Sequence, residues 1–157
     1  ETIETSSIIL MIIAGAAIFS WVLTSQRVTE DFTIWMLTVT DNKIVILLLM
    51  TLILFVVGCF METIAAITIL TPVLLPIAVG LGIDPVHFGV VMVLNLMIGL
   101  LTPPVGMVLY VLSRVTNVPF EECAKATFPF LIPLVVVLML VIFIPQLSMW
   151  LPTLLYR

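Results

Sequence analysis

Apolar residues in this chain come in long runs, with polar residues clustered between them. The first run, Ser6 to Leu23, reads IILMIIAGAAIFSWVL at its heart. At about 1.5 Å per residue it is just long enough to cross a bilayer, so residues 1–27 are expected to hold one transmembrane helix. Ala14, Gly15, Ala16 and Ala17 form a small-residue patch suited to close helix packing. Residues 28–42 differ. Thr29, Glu30 and Asp31 offer N-cap chemistry, and Phe32, Trp35, Met36 and Val39 follow at i, i+3, i+4 and i+7. The stripe is too short to span and predicts an amphipathic helix lying in the interface, with Trp35 at headgroup level.

From Ile44 to Ile83 a second run of roughly 40 residues carries one ionisable group, Glu62. At about 20 residues per crossing it holds two helices. Its polar interruption is GCFMET, residues 58–63, with no Asn-Gly, no basic cluster and no polar loop. A turn of that composition belongs inside protein at membrane depth, where irregular backbone survives only if buried or lining a cavity. The preferred reading of residues 43–82 is a re-entrant helical hairpin, and the alternative is two full crossings. Gly58 is expected to permit the tight turn.

GIDPVHFG, residues 82–89, sets Asp84 as an N-cap before Pro85 at the first helical position. Residues 83–115 then read as a transmembrane helix broken at 99–106, GLLTPPVG. Proline lacks a backbone N–H and collides with the preceding turn, and here two stand together between Gly99 and Gly106. Residues 116–128 are expected to be a polar connector, with Glu121 and Glu122 in an acidic first turn, and residues 129–157 a terminal transmembrane helix. The expected fold class is an all-α polytopic membrane protein.

Composition supports this. The chain is 63% hydrophobic and 9% charged, against about 25% charged in soluble domains. The net charge of −4 and the lack of a basic cluster argue against nucleic acid as a partner. Cys59 and Cys123, far apart and without zinc spacing, read as free thiols. The chain opens ETIETSS, without methionine or signal peptide, and looks like a piece of a longer polypeptide. Basic residues do not decide orientation: Arg27, Lys43 and Arg157 fall on one side of the expected topology, Arg114 and Lys125 on the other. There is no P-loop, no HExxH and no serine with a facing base, so no catalytic residue is named and no enzyme is expected.

The candidate chemistry lies at the two interruptions. Unwound backbone beside the proline pair frees carbonyl oxygens, which suit a desolvated sodium ion. The half-helix after Pro104 presents N–H groups at its positive end, which suit an anion. Asn95, Gly99 and Thr102 stand at i, i+4 and i+7 on one face. Glu62 supports a cation site, caps the helix that follows, or relays protons. The candidate sodium residues are therefore Gly58, Glu62, Thr63, Asn95, Gly99, Thr102 and Pro103, and the candidate substrate residues are Thr102, Pro104, Val105 and Gly106. The competing reading is a proline kink of purely structural purpose, with Asn95 bonded to a neighbouring helix. Thr68 and Thr71 are expected to bond their own helix, and His87 to serve at a helix start.

Residues 58–106 closely resemble the large membrane subunit of TRAP (tripartite ATP-independent periplasmic) transporters. The elements that carry the resemblance are Gly58, Pro72 and Pro76, Gly82-Ile83-Asp84-Pro85, His87-Phe88-Gly89, Asn95-Leu96, Ile98-Gly99, Thr102-Pro103-Pro104 and Gly106. The family often has Asp where Glu62 stands, which keeps the charge and shortens its reach by one methylene. More loosely, the similarity covers the whole chain, which looks like the C-terminal part of that subunit. The resemblance implies half of an inverted-repeat, elevator-type transporter: a scaffold span, an arm helix, a re-entrant hairpin, a broken helix and a last span. It implies sodium-coupled import of an organic acid, such as a C4-dicarboxylate or sialic acid, across a bacterial or archaeal cytoplasmic (inner) membrane. It implies a small membrane subunit and a periplasmic substrate-binding protein as partners, and no cofactor beyond Na⁺ as coupling ion. The alternatives are an ion channel or pore subunit and a non-transporting structural membrane subunit.

Overall fold

The computed structural model describes residues 42–155 without interruption, and before them only positions 3, 7, 10, 11, 14, 15, 18, 21, 22, 25–27 and 34. Those between 3 and 25 are helical. The small-residue patch beyond Ala14 and Gly15 and the interfacial stripe of Phe32, Trp35, Met36 and Val39 lie outside the described residues. From residue 42 onward the chain forms α1 (Lys43–Phe60), α2 (Thr63–Gly80), α3 (Pro85–Leu100), α4 (Met107–Thr116), α5 (Phe120–Phe143) and α6 (Gln146–Leu155), with no strand among the described residues. Three of these helices, α1, α2 and α5, are long and apolar enough to cross a membrane.

Each boundary has a local cause. The Asn42 side chain accepts the Ile44 amide at 3.0 Å and starts α1. Between α1 and α2 only Met61 and Glu62 are non-helical. Helix α2 contains Pro72 and Pro76 and ends in a Schellman turn, in which Gly82 takes a φ of +72° and the Ile83 amide donates back to Ala78. Asp84 then caps α3 through the amides of Val86 and His87. Thr68 and Thr71 do donate to carbonyls of their own helix, at 2.7 and 2.6 Å.

Helix α3 is the hub. It makes its largest contact with α1, the next with α2, and touches α5 and α6 as well. Its buried residues include Phe88, Val91, Met92, Asn95, Leu96, Ile98 and Gly99, and its core partners on α1 are Ile46, Leu47, Met50 and Leu54. Helix α5 runs back along α4 and then α3. Tyr110 and Phe120 stack with ring centroids 4.6 Å apart at one end, and His87 Nδ1 lies 2.7 Å from Ser148 Oγ, just beyond α5, at the other. A wholly apolar run of α5, Phe128 to Val136, flanks Thr102 and Phe55 around a cavity of about 330 Å³. The interruption between α3 and α4 therefore stands level with the middle of α5, which is about 36 Å long at 24 residues.

Three expectations need correction. The polar connector expected over 116–128 ends at Pro119, because Pro119 opens a helix whose first turn accepts Glu121 and Glu122 favourably. The terminal helix expected over 129–157 begins earlier, at Phe120, and divides at Ile144–Pro145, where proline removes the donor that would carry the helix on. Gly58 is not a turn residue. It is helical and buried, and its role is close packing.

Candidate functional site

The last turns of α1 and α3 meet backbone to backbone. A Cβ on Gly99 would lie 2.6 Å from the Gly58 carbonyl carbon and 2.8 Å from its Cα. A Cβ on Gly58 would lie 3.2 Å from the Cα and the carbonyl oxygen of Leu96. The close approach of the two helices requires glycine at 99 and leaves little room for anything larger at 58. The tip of the hairpin is thus held against the end of α3, and α4 continues for another ten residues, about 15 Å, on the far side of the break.

Glu62 is the N-cap of α2. Its Oε1 accepts the Ile64 amide at 3.0 Å and its Oε2 the Ala65 amide at 3.1 Å. Of the roles open to it, capping is the one the geometry displays, and both oxygens keep lone pairs beyond those bonds. Thr63 reaches across to α3, its hydroxyl 3.8 Å from Met97 Sδ. Glu62 also shares a cleft of about 240 Å³ with Leu100 and with Met107, Val108 and Val111 of α4.

Helix α3 ends at Leu100, so Gly99 and Leu100 remain helical and the break runs from Leu101 to Gly106. Pro103 and Pro104 supply no amide, and Gly106 takes a φ of +54°. Residues 103–105 form a turn, and among the described residues no strong hydrogen bond is made by the carbonyls of Leu101, Pro103, Pro104 and Val105 or by the amides of Val105, Met107 and Val108. The break therefore presents oxygens and N–H groups side by side, the latter at the positive end of α4. Thr102 donates its hydroxyl proton to Ile98 at 2.8 Å, which leaves its oxygen lone pairs free to meet a cation.

The candidate residues are brought together unevenly. Gly58 and Gly99 touch, Thr63 reaches Met97, and Glu62 faces the start of α4. Thr102 lines the cleft beside α5 instead of the one beside Glu62. Asn95 lies one turn before Gly99, fully buried, with its Nδ2 donating to the Thr51 carbonyl on α1. Asn95 is thus bonded to a neighbouring helix, as the competing reading required. Thr51 itself was not singled out from the sequence; a lone threonine in an apolar run gives no signal until its partner is known. His87 is buried at the far end of α3, distant from the break. Cys59 and Cys123 are both free.

A family model described as "Tripartite ATP-independent periplasmic transporter, DctM component" matches residues 1–147. The chain is 44% identical over 98% of its length to the sialic acid TRAP transporter large permease protein SiaM of Vibrio cholerae, covering 36% of that protein. It is 41% identical over 96% of its length to the isethionate TRAP transporter permease protein DctMQ of Oleidesulfovibrio alaskensis, covering 24% of it. It is 40% identical over 97% of its length to the C4-dicarboxylate TRAP transporter large permease protein DctM of Pseudomonas aeruginosa, again covering 36%. The chain spans about a third or less of the length of these relatives. With its apolar helices and a match over nearly its whole length, it is a membrane protein that belongs to the DctM family, the large permease component of TRAP transporters.

Proposed function

We propose that this chain is the second inverted repeat of a sodium-coupled TRAP permease that imports an organic anion delivered by a periplasmic binding protein. A small membrane subunit completes the transporter, which sits in the cytoplasmic membrane of a bacterium or archaeon. The observation that carries the reading is the run of weakly paired peptide groups at Pro103 to Val105 and at the first amides of α4, which follows directly on the contact between Gly99 and the hairpin tip. Unpaired backbone at membrane depth is expensive unless something occupies it. A sodium ion suits the carbonyl side, and a carboxylate suits the N–H side. The relatives named for sialic acid, isethionate and C4-dicarboxylate all handle organic anions, which fits the second half of that pair.

In this reading α1 and α2 form a re-entrant hairpin that stops at the level of the break. Gly58, Glu62 and Thr63 at its tip and Gly99, Thr102 and Pro103 at the break supply the sodium ligands, Thr102 from the α5 side of the break and Glu62 from the α4 side, with Asn95 behind them fixing α1 against α3. The substrate's anionic group lies by Thr102 and the amides of Val105 and Gly106 that follow Pro104. Sodium binding stabilises the tip against the break and so builds the substrate site, and that difference in stability is the coupling. The loaded unit then moves across the membrane as an elevator.

The test is uptake into proteoliposomes that contain the whole transporter and its binding protein. Thr102→Val removes one oxygen ligand and is expected to raise the sodium concentration for half-maximal uptake about tenfold, in keeping with one lost interaction to a charged group. Uptake that proceeds equally in potassium, or a variant with unaltered sodium dependence, would place the ion elsewhere.

A further inference from the structure

Among the described residues three buried side-chain atoms lack a hydrogen-bond partner: Thr51 Oγ1, Asn95 Oδ1 and His87 Nε2. The first two belong to residues already joined, since Asn95 Nδ2 donates to the Thr51 carbonyl. Turning the amide over would set Oδ1 against that carbonyl, acceptor against acceptor, so its orientation is fixed. Thr51 is also unlike its fellows. Thr68, Thr71, Thr102 and Thr127 each donate to a carbonyl four residues back, whereas the Thr51 hydroxyl does not.

The pair is complementary. Asn95 Oδ1 is an acceptor that needs a donor, and the Thr51 hydroxyl is a donor that needs an acceptor. They do not bond each other, and both are sealed from bulk solvent. A single species that satisfies both accepts one proton and donates another. Water does both, whereas a sodium ion can accept no hydrogen bond from the threonine. Met50 and Leu54 on α1 and Val91 and Leu96 on α3, their near neighbours in sequence, are fully buried and apolar, so these two side chains are the polar groups that a bridging species would bind.

We propose that one buried water bridges Thr51 Oγ1 and Asn95 Oδ1, and that this hydrated pair sets the register of α1 on α3. Gly58 lies two helical turns beyond Thr51, and Gly99 about one turn beyond Asn95. A slip of one turn would separate the glycines and strand the Asn95 amide without a partner. Thr51 is therefore a positioning residue: it touches neither ion nor substrate and acts by holding the hairpin tip opposite the break.

Electron cryomicroscopy of the whole transporter, at a resolution that shows ordered water, tests the proposal whether or not the chain transports anything. Density at hydrogen-bond distance from both oxygens, the same in sodium and in sodium-free potassium buffer and absent in Thr51→Val, is the expected result. A direct hydrogen bond between the side chains with nothing between them overturns the water. So does density that vanishes without sodium, which would be an ion. The positioning role, which rests on the transport reading above, is tested by uptake. Thr51→Val is expected to raise the half-maximal sodium concentration several-fold, with Thr51→Ser restoring it. Should Thr51→Val not assemble, the wild-type density and the Thr51→Ser comparison decide the matter. Equal sodium dependence in valine and wild-type proteins overturns the role.

Discussion

A methyl group on Gly99 would have to occupy space 2.6 Å from the Gly58 carbonyl carbon, whereas one on Gly58 meets its nearest atoms at 3.2 Å. The two alanine substitutions should therefore differ. Gly99→Ala forces the helices apart, at a cost of about 1–3 kcal/mol for overpacking, and should abolish uptake and lower the melting temperature of the purified transporter. Gly58→Ala should be milder on both measures; the reverse order would mean that the contact does not hold the tip. Glu62 permits a second comparison. Its carboxylate bonds two amides at the start of α2, and aspartate is a favoured N-cap. Glu62→Asp should keep or raise thermal stability, while Glu62→Ala should lose about 0.5–2 kcal/mol of it. Equal stability of all three proteins would remove capping from its duties. The charge of Glu62 stood out in the sequence because nothing else between Lys43 and Asp84 ionises. The use of Gly58 did not, because its partner lies 41 residues away at Gly99 and a glycine in an apolar run reads first as a turn.

Among the elements, the helix break was legible because two adjacent prolines remove successive amides with a glycine close behind, whereas the spaced Pro72 and Pro76 of α2 and Pro129 and Pro133 of α5 stay inside their helices. The start of α5 was not. FEECAKAT looks like a polar connector, but Pro119, the two glutamates and the alanines are also good helix-start chemistry, and packing of Tyr110 on Phe120 and burial of Cys123 favour the helix. A hairpin that returns to its own side puts the start of α1 and the start of α6 on one face of the membrane and the end of α4 on the other. Single cysteines at Lys43 and Gln146 should then react with an impermeant maleimide from one side, and one at Thr116 only from the other. Labelling of Lys43→Cys from the Thr116 side would rule out that path.

At the scale of the molecule, the outward faces of α4 and α5 remain strongly apolar, with Val111, Val115, Phe128 and Phe130 each more than 60% exposed. Such a surface needs lipid or further protein, and the chain represents about a third of its relatives' length. The break lies beside the middle of α5, so with α5 spanning the bilayer as proposed, an ion arriving there from either face crosses about half of the transmembrane voltage. A full crossing is worth about 2.3 kcal/mol per elementary charge at 100 mV, which makes the half-journey of a monovalent cation worth about 1.2 kcal/mol. Occupancy of that level then responds to membrane polarisation about sevenfold per 100 mV, and entry alone displaces charge before any helix has moved.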